Sequence, residues 1–189
     1  MNRHLIVGLG NPGDEYEQTR HNIGFLIADA ICKKLHVSYT VAKHGWLAKG
    51  MYKGRTVFIL KPSTYMNLSG TAVQYWMQKE RVELSNVLVA VDELALPFGT
   101  LRMGPKGSDG GHNGLQHIQH CLNTTHYPRL RFGIGAEYTK GKQVDYVLGK
   151  WSAAESKALD PLIDKAAVGI LDAIFIGLER AMNSINSKS

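Results

Sequence analysis

Four short apolar runs, at 4–9, 56–60, 87–92 and 130–135, alternate with stretches whose apolar residues recur at helical spacing. Nothing else in the chain restricts its fold so strongly. Runs of this length, partly β-branched, read as strands. After the first, Ile23, Ile27, Ile31 and Leu35 fall four apart, on one face of a helix expected over about 22–35. Further helices are expected over 69–79 and 114–122. The region 153–183 reads as one or two helices, with Asp160-Pro161 starting the second, because proline suits a first helical turn. Strands alternating with helices imply an α/β domain with a largely parallel or mixed sheet. One domain is expected over 1–183. Residues 184–189, with Asn183 before them, read as a flexible tail.

A chain of 189 residues, 44% hydrophobic and 20% charged, suits a single globular domain with a real core. Cys32 and Cys121 stand far apart with no paired spacing, which fits free thiols in a reducing compartment. The first apolar run is too short for a secretory signal. The longest late one, Ala166 to Leu178, is broken by Asp172 and too short to span a bilayer. The expectation is a cytoplasmic protein with no membrane partner. A net charge of +6 allows a polyanionic partner without identifying one.

After Leu5-Ile6-Val7 comes GLGNPGDEYEQTRHNIG, residues 8–24, whose first six residues have the spacing G-x-G-x-x-G. A dinucleotide turn would present backbone N–H groups to a pyrophosphate. Pro12 has no N–H, and Asp14, Glu15 and Glu17 would repel a phosphate. The next candidate strand, Val37 to Ala42, ends at Lys43 where an acid should stand. The dinucleotide reading, and with it an oxidoreductase, fails. A tight strand-exit turn explains the glycines, but not Asn11 or the His21-Asn22 pair.

Three other segments, STYMNLSG (63–70), AVDELALPFG (90–99) and GSDGGHNGL (107–115), each place an amide or acid beside small residues. Asp92 closes an apolar strand, and sites in open α/β sheets gather at such strand ends. One histidine, His21, one carboxylate, Asp92, and the carboxamides of Asn11, Asn67 and Asn113 make a chemical kit. The carboxylate orients the imidazole and keeps it basic. The imidazole takes a proton from water, and amide N–H groups stabilise an oxyanion. Ser69 lies in L-S-G and reads as a helix cap, not a nucleophile. The chemistry indicated is attack of activated water on an ester or amide.

GLGNPGDEYEQTRHNIG, KPSTYMNLSG, DELALPFG and GGHNGL, in this order, resemble the bacterial-type peptidyl-tRNA hydrolase family, over nearly the whole chain. The resemblance implies a monomeric, single-domain α/β fold with a mixed central β-sheet flanked by helices. It implies hydrolysis of the ester joining a peptide to the 3′ ribose of tRNA, with no cofactor and no metal. His21 would be the general base and Asp92 its orienting partner. Asn11 would lie beside the ester and help separate peptidyl from free aminoacyl substrates. Asn67 and Asn113 would hold the substrate or the attacking water. Tyr16, Tyr65 and Met66 would line the cleft, with Gly111 and His112 of GGHNGL at the substrate. Arg102 and Arg131 match basic residues that grip tRNA phosphates. A third such residue is replaced by Gly104, for which Lys106 would substitute.

Two further groupings have plainer readings. His117, His120 and Cys121 lie close on a predicted helix, but a metal site would want more ligands and a second shell. Lys140, Lys142, Lys150, Arg129 and Arg131 are either a solvated face or a track for the tRNA acceptor arm. Trp46, Trp76 and Trp151 are expected in or near the core. A non-enzymatic RNA-binding protein would use the same basic surface, but leaves the His21–Asp92 pair without a purpose.

Overall fold

The computed structural model describes residues 2–186. A seven-stranded sheet has the order β2-β3-β4-β1-β5-β7-β6. The four expected strands are β1 (Arg3–Gly8), β4 (Arg55–Pro62), β5 (Val87–Glu93) and β7 (Arg129–Gly133). They form the parallel centre, with β1 between β4 and β5, and β5 beside β7. The edges are antiparallel. β2 (Thr40–Ala42) and β3 (Gly45–Tyr52) extend one side, and β6 (Leu101–Gly104) closes the other. The sheet is therefore mixed and helix-flanked, as the sequence led us to expect.

α1 (Ile23–Leu35), α5 (Ala153–Ile176) and α6 (Leu178–Ile185) pack on one face. α2 (Ser69–Lys79) and α3 (Asn113–Leu122) cover the other. A short α4 (Gln143–Val147) precedes α5. From β1 the chain leaves toward α1 on one face, while β5, its neighbour, faces segments leading to the other. A crevice opens at the carboxyl ends of β1 and β5, where the direction of winding switches. Two glycines let α1 press down at this point. A Cβ on Gly8 would lie 2.1 Å from the Gly24 carbonyl oxygen, and one on Gly24 would lie 2.5 Å from Leu9 N. The glycines of the opening motif thus serve helix–strand approach.

Two expectations about the late helices are corrected. α5 runs through Pro161 without a break, because its buried face of Leu159, Ile163, Ala166, Ala167 and Ile170 continues across the proline. Their packing outweighs the roughly 3 kcal/mol that an interior proline costs. The break comes at Gly177, at φ 97°. Residues 184–186, expected in the tail, are ordered. α6 reaches Ile185, which is buried, and the Asn186 side chain bonds both N and O of Met103 at 2.8 Å. The remainder of the expected tail, 187–189, lies outside the described residues. Among the described residues no helix is long and apolar enough to cross a membrane. Trp76 is buried, Trp151 is half-buried against the core, and Trp46 is half-buried beside Phe25.

Candidate active site

Three segments converge at the crevice. The turn Arg20–Asn22, a short 3-10 helix before α1, carries His21. The end of β5 carries Asp92, which is 4% exposed. The glycine-rich loop before α3 carries His112. His21 Nδ1 lies 2.8 Å from Asp92 Oδ2, and His112 Nε2 lies 2.8 Å from Asp92 Oδ1. The two imidazoles stand 4.9 Å apart, centroid to centroid. His112 Nδ1 accepts the backbone N–H groups of Gly114 and Leu115 and so caps α3. Its hydrogen is therefore on Nε2, donated to Asp92. His21 donates from Nδ1 to the other carboxylate oxygen, which leaves its Nε2 lone pair for a reactant.

The electrostatics follow from this arrangement. Burial alone would raise the Asp92 carboxyl. Electrostatic attraction to His21 and His112 and the hydrogen bonds from both rings outweigh burial and hold it well below the usual carboxylate range. Burial pulls the His21 imidazole down, but the Asp92 charge and hydrogen bond win and leave it above its ordinary value of 6.5. His21 is thus a strengthened base with one free nitrogen.

Asn11 is buried and fixed on three sides. Its backbone N–H donates to Asn22 Oδ1 and its C=O accepts from Asn22 Nδ2, both at 2.9 Å. Its own Oδ1 accepts from Met66 N at 2.7 Å. The carboxamide is thereby oriented with its N–H₂ end left over. Met66 is itself buried, so it joins the Asn11 turn to the start of α3 from below. Asn113 and Gly111 are exposed and line the hollow beside His21 together with Gln143, Val144 and Val147. Tyr65 and Asn67 are exposed at the end of β4, and Tyr16 is half-exposed in the turn before His21. None of these three lines that hollow.

The basic residues divide. Arg102 and Lys106 are exposed. Arg131 sits opposite Arg102 in the β6–β7 register, but its guanidinium is engaged, with Nη1 2.8 Å from Glu93 Oε1 and Nη2 2.7 Å from Ser108 O. It straps the glycine-rich loop to β5. Arg129 does not belong to a surface track: it is 1% exposed and donates to Gly107 O and Thr125 O. Lys140, Lys142 and Lys150 are exposed. The Ser69 hydroxyl does not cap α2; it donates to Met66 O.

His117 Nδ1 accepts from Gly70 N, which ties α3 to α2. Among the described residues, the one group with metal-ligand spacing is His21, Asp92 and His112, whose donor atoms lie within 4.8 Å of one another. Those atoms are already paired with one another through hydrogen bonds. Sequence reasoning gave no role to three supports: Asn22, noted only as paired with His21, and Glu93 and Arg20, not singled out at all. Each precedes or follows a singled-out residue, so adjacency to His21 or Asp92 was the available signal.

The chain matches the family model described as peptidyl-tRNA hydrolase over residues 5–189. It is 52% identical over 186 residues to the peptidyl-tRNA hydrolase of Cytophaga hutchinsonii, covering 98% of this chain and 99% of the relative. It is 50% identical over 186 residues to that of Bacteroides fragilis, covering 98% and 100%. The crystal structure of peptidyl-tRNA hydrolase from Acinetobacter baumannii superposes with a TM-score of 0.93 at 37% identity, covering 100% of this chain and 96% of that one. A chain this alike over its whole length, and folded so nearly the same way, belongs to the peptidyl-tRNA hydrolase family.

Proposed function

We propose that His21 is the general base of the family's reaction, hydrolysis of the peptidyl-tRNA ester. The observation that carries this is the 2.8 Å contact of His21 Nδ1 with buried Asp92, which leaves Nε2 free and basic. Nε2 takes a proton from water as the water oxygen attacks the ester carbonyl carbon. The N–H₂ groups of Asn11 and Asn113 stabilise the oxyanion. When the tetrahedral intermediate collapses, the imidazolium returns the proton to the departing ribose oxygen, freeing peptide acid and tRNA. Asp92 keeps its charge throughout and stabilises the imidazolium.

Asn11, oriented by Asn22 and Met66, reads the acylated nitrogen that distinguishes a peptidyl from an aminoacyl ester. Asn67, Tyr65 and Tyr16 form the outer cleft toward the 3′ end, and Gly111 and His112 its inner loop. Arg102 and Lys106 meet phosphates of the acceptor arm, with Arg131 beside them. The residues from 2 to Asn186 act as one catalytic domain, with no cofactor or metal. The protein works as a monomer in the cytoplasm, a compartment that suits its two unpaired cysteines. The deciding experiment is a multiple-turnover assay on N-blocked aminoacyl-tRNA. Release of many equivalents per enzyme supports esterase action, whereas stoichiometric binding without release indicates an RNA-binding protein.

A further inference from the structure

Arg20 precedes the base and reaches away from it. Its guanidinium carbon lies 4.2 Å from the Tyr146 ring centroid and 5.8 Å from that of Trp151. Its Nη1 donates to Tyr146 O at 3.2 Å, and its Nη2 meets Glu155 Oε1 at 3.1 Å, with side chains 13% and 17% exposed. Its backbone N–H donates to Gly149 O at 3.0 Å. Every partner belongs to the segment of α4 and the start of α5. Tyr146 is pinned in turn, its hydroxyl donating to Ile134 O at 2.6 Å. The same α4 supplies Gln143, Val144 and Val147 to the hollow beside His21. A fork held by a ring, a carbonyl and a carboxylate is a geometry that only arginine provides.

We propose that Arg20 is a positioning residue for the hydrolysis: it clamps the α4 wall of the cleft to the turn that carries His21, so that one side chain sets both the base and the wall that shields it. This rests on His21 being the base. The titratable groups facing His21 are Asp92 from β5, His112 from the loop before α3, and Glu93 on the same hollow; α4 contributes none. Loosening the wall lets water reach the ring and relieves the burial that pulls its proton affinity down.

The test is the pH profile of kcat/KM on N-blocked aminoacyl-tRNA. Arg20→Lys keeps the charge and loses the fork. We expect kcat to fall about tenfold with a smaller change in KM, and the acid limb to move up by about half a pH unit. Glu155→Gln should move the limb in the same direction by less, although removal of a negative charge by itself would move it down. Glutamine at this position keeps the capping box with Ser152, so α5 stays intact even if Arg20→Lys does not fold. Arg3→Lys, which perturbs the distant Arg3–Glu80 pair, should leave kcat and the limb unchanged. An unmoved limb in both folded clamp variants, beside a wild-type limb that Asp92→Asn shifts, overturns the clamp and leaves His21 standing. A wild-type profile with no acid limb sinks both.

Discussion

Nε2 of His112 lies 2.8 Å from Oδ1 of Asp92, on the carboxylate oxygen that His21 does not use. With its Nδ1 committed to the N–H groups of Gly114 and Leu115, this ring has one way to face the carboxylate. The start of α3 therefore dictates a tautomer, the tautomer fixes Asp92, and Asp92 fixes His21. His112→Asn separates the two duties, because asparagine caps helices well but is too short to replace the ring. Thermal melts should show a loss of about 1–3 kcal/mol, the usual effect of depriving a buried acceptor of its donor. Steady-state kcat should fall by less than on loss of His21. Unchanged stability and kcat together would mean that the second contact on Asp92 is idle.

The pH dependence follows from Asp92. The base is active when unprotonated, and Asp92 holds the His21 imidazole above 6.5. The acid limb of kcat/KM should thus have its midpoint above 6.5. Asp92→Asn removes what raises the imidazole and leaves the burial that lowers it, so the limb should move to lower pH while the maximum rate drops. A limb that stays in place would separate Asp92 from the base. Stability obeys the same pair. Asp92 ionises more readily folded than unfolded, so its contribution is present above 3.8 and fades as pH falls below it. The raised His21 contributes fully below 6.5 and less as pH climbs through its folded value. Melts of wild type and Asp92→Asn should converge at acid pH.

Asn22 makes a prediction that no active-site assignment would suggest. It holds both backbone groups of Asn11, and Asn22→Ala leaves an N–H and a C=O unpaired. Stability should fall by about 2 kcal/mol or more, and discrimination between N-blocked and free aminoacyl-tRNA should weaken as Asn11 loses its orientation. Competition assays with the two substrates measure this. Full discrimination in a destabilised Asn22→Ala protein would show that Asn11 needs no such support.

The basic residues should part into two classes. Arg102→Ala and Lys106→Ala should each raise KM for whole peptidyl-tRNA, spare a minimal substrate of 3′ nucleotide and peptide, and reduce the slope of log K against log salt by about 1. Arg131→Ala should harm both substrates, because Arg131 also holds Ser108 and Glu93. Equal selectivity for whole tRNA in all three variants would remove the strap role of Arg131.

What the sequence disclosed depended on pattern strength. The four central strands are buried apolar runs, and periodicity exposes them. β3 hides because its outer half alternates Lys49, Gly50 and Met51 against solvent, and β6 because the alternation of buried Leu101 and Met103 with exposed Arg102 lasts only four residues, too few to stand out as a period. α4 has no buried residue to mark it. Of the site, His21, Asp92 and the carboxamides were legible as chemistry placed at strand ends and in loops. The supports were not. Arg20 and Glu155 meet across 135 positions and Arg131 and Glu93 across 38, and no local spacing announces a pairing of that range. Arg129 looked like surface charge because a lone arginine on a strand gives no sign that carbonyls of two loops will enclose it.

The central claim is that His21, paired to Asp92, activates the water. Single- and multiple-turnover hydrolysis of N-blocked aminoacyl-tRNA by wild type and His21→Ala, with tRNA binding measured in parallel, tests it most directly. Loss of a general base should lower kcat by about 10²-fold or more with tRNA affinity kept, and adding Asp92→Asn to His21→Ala should lower it no further. Turnover near wild type in His21→Ala, or losses from the two substitutions that multiply in full, would contradict the account.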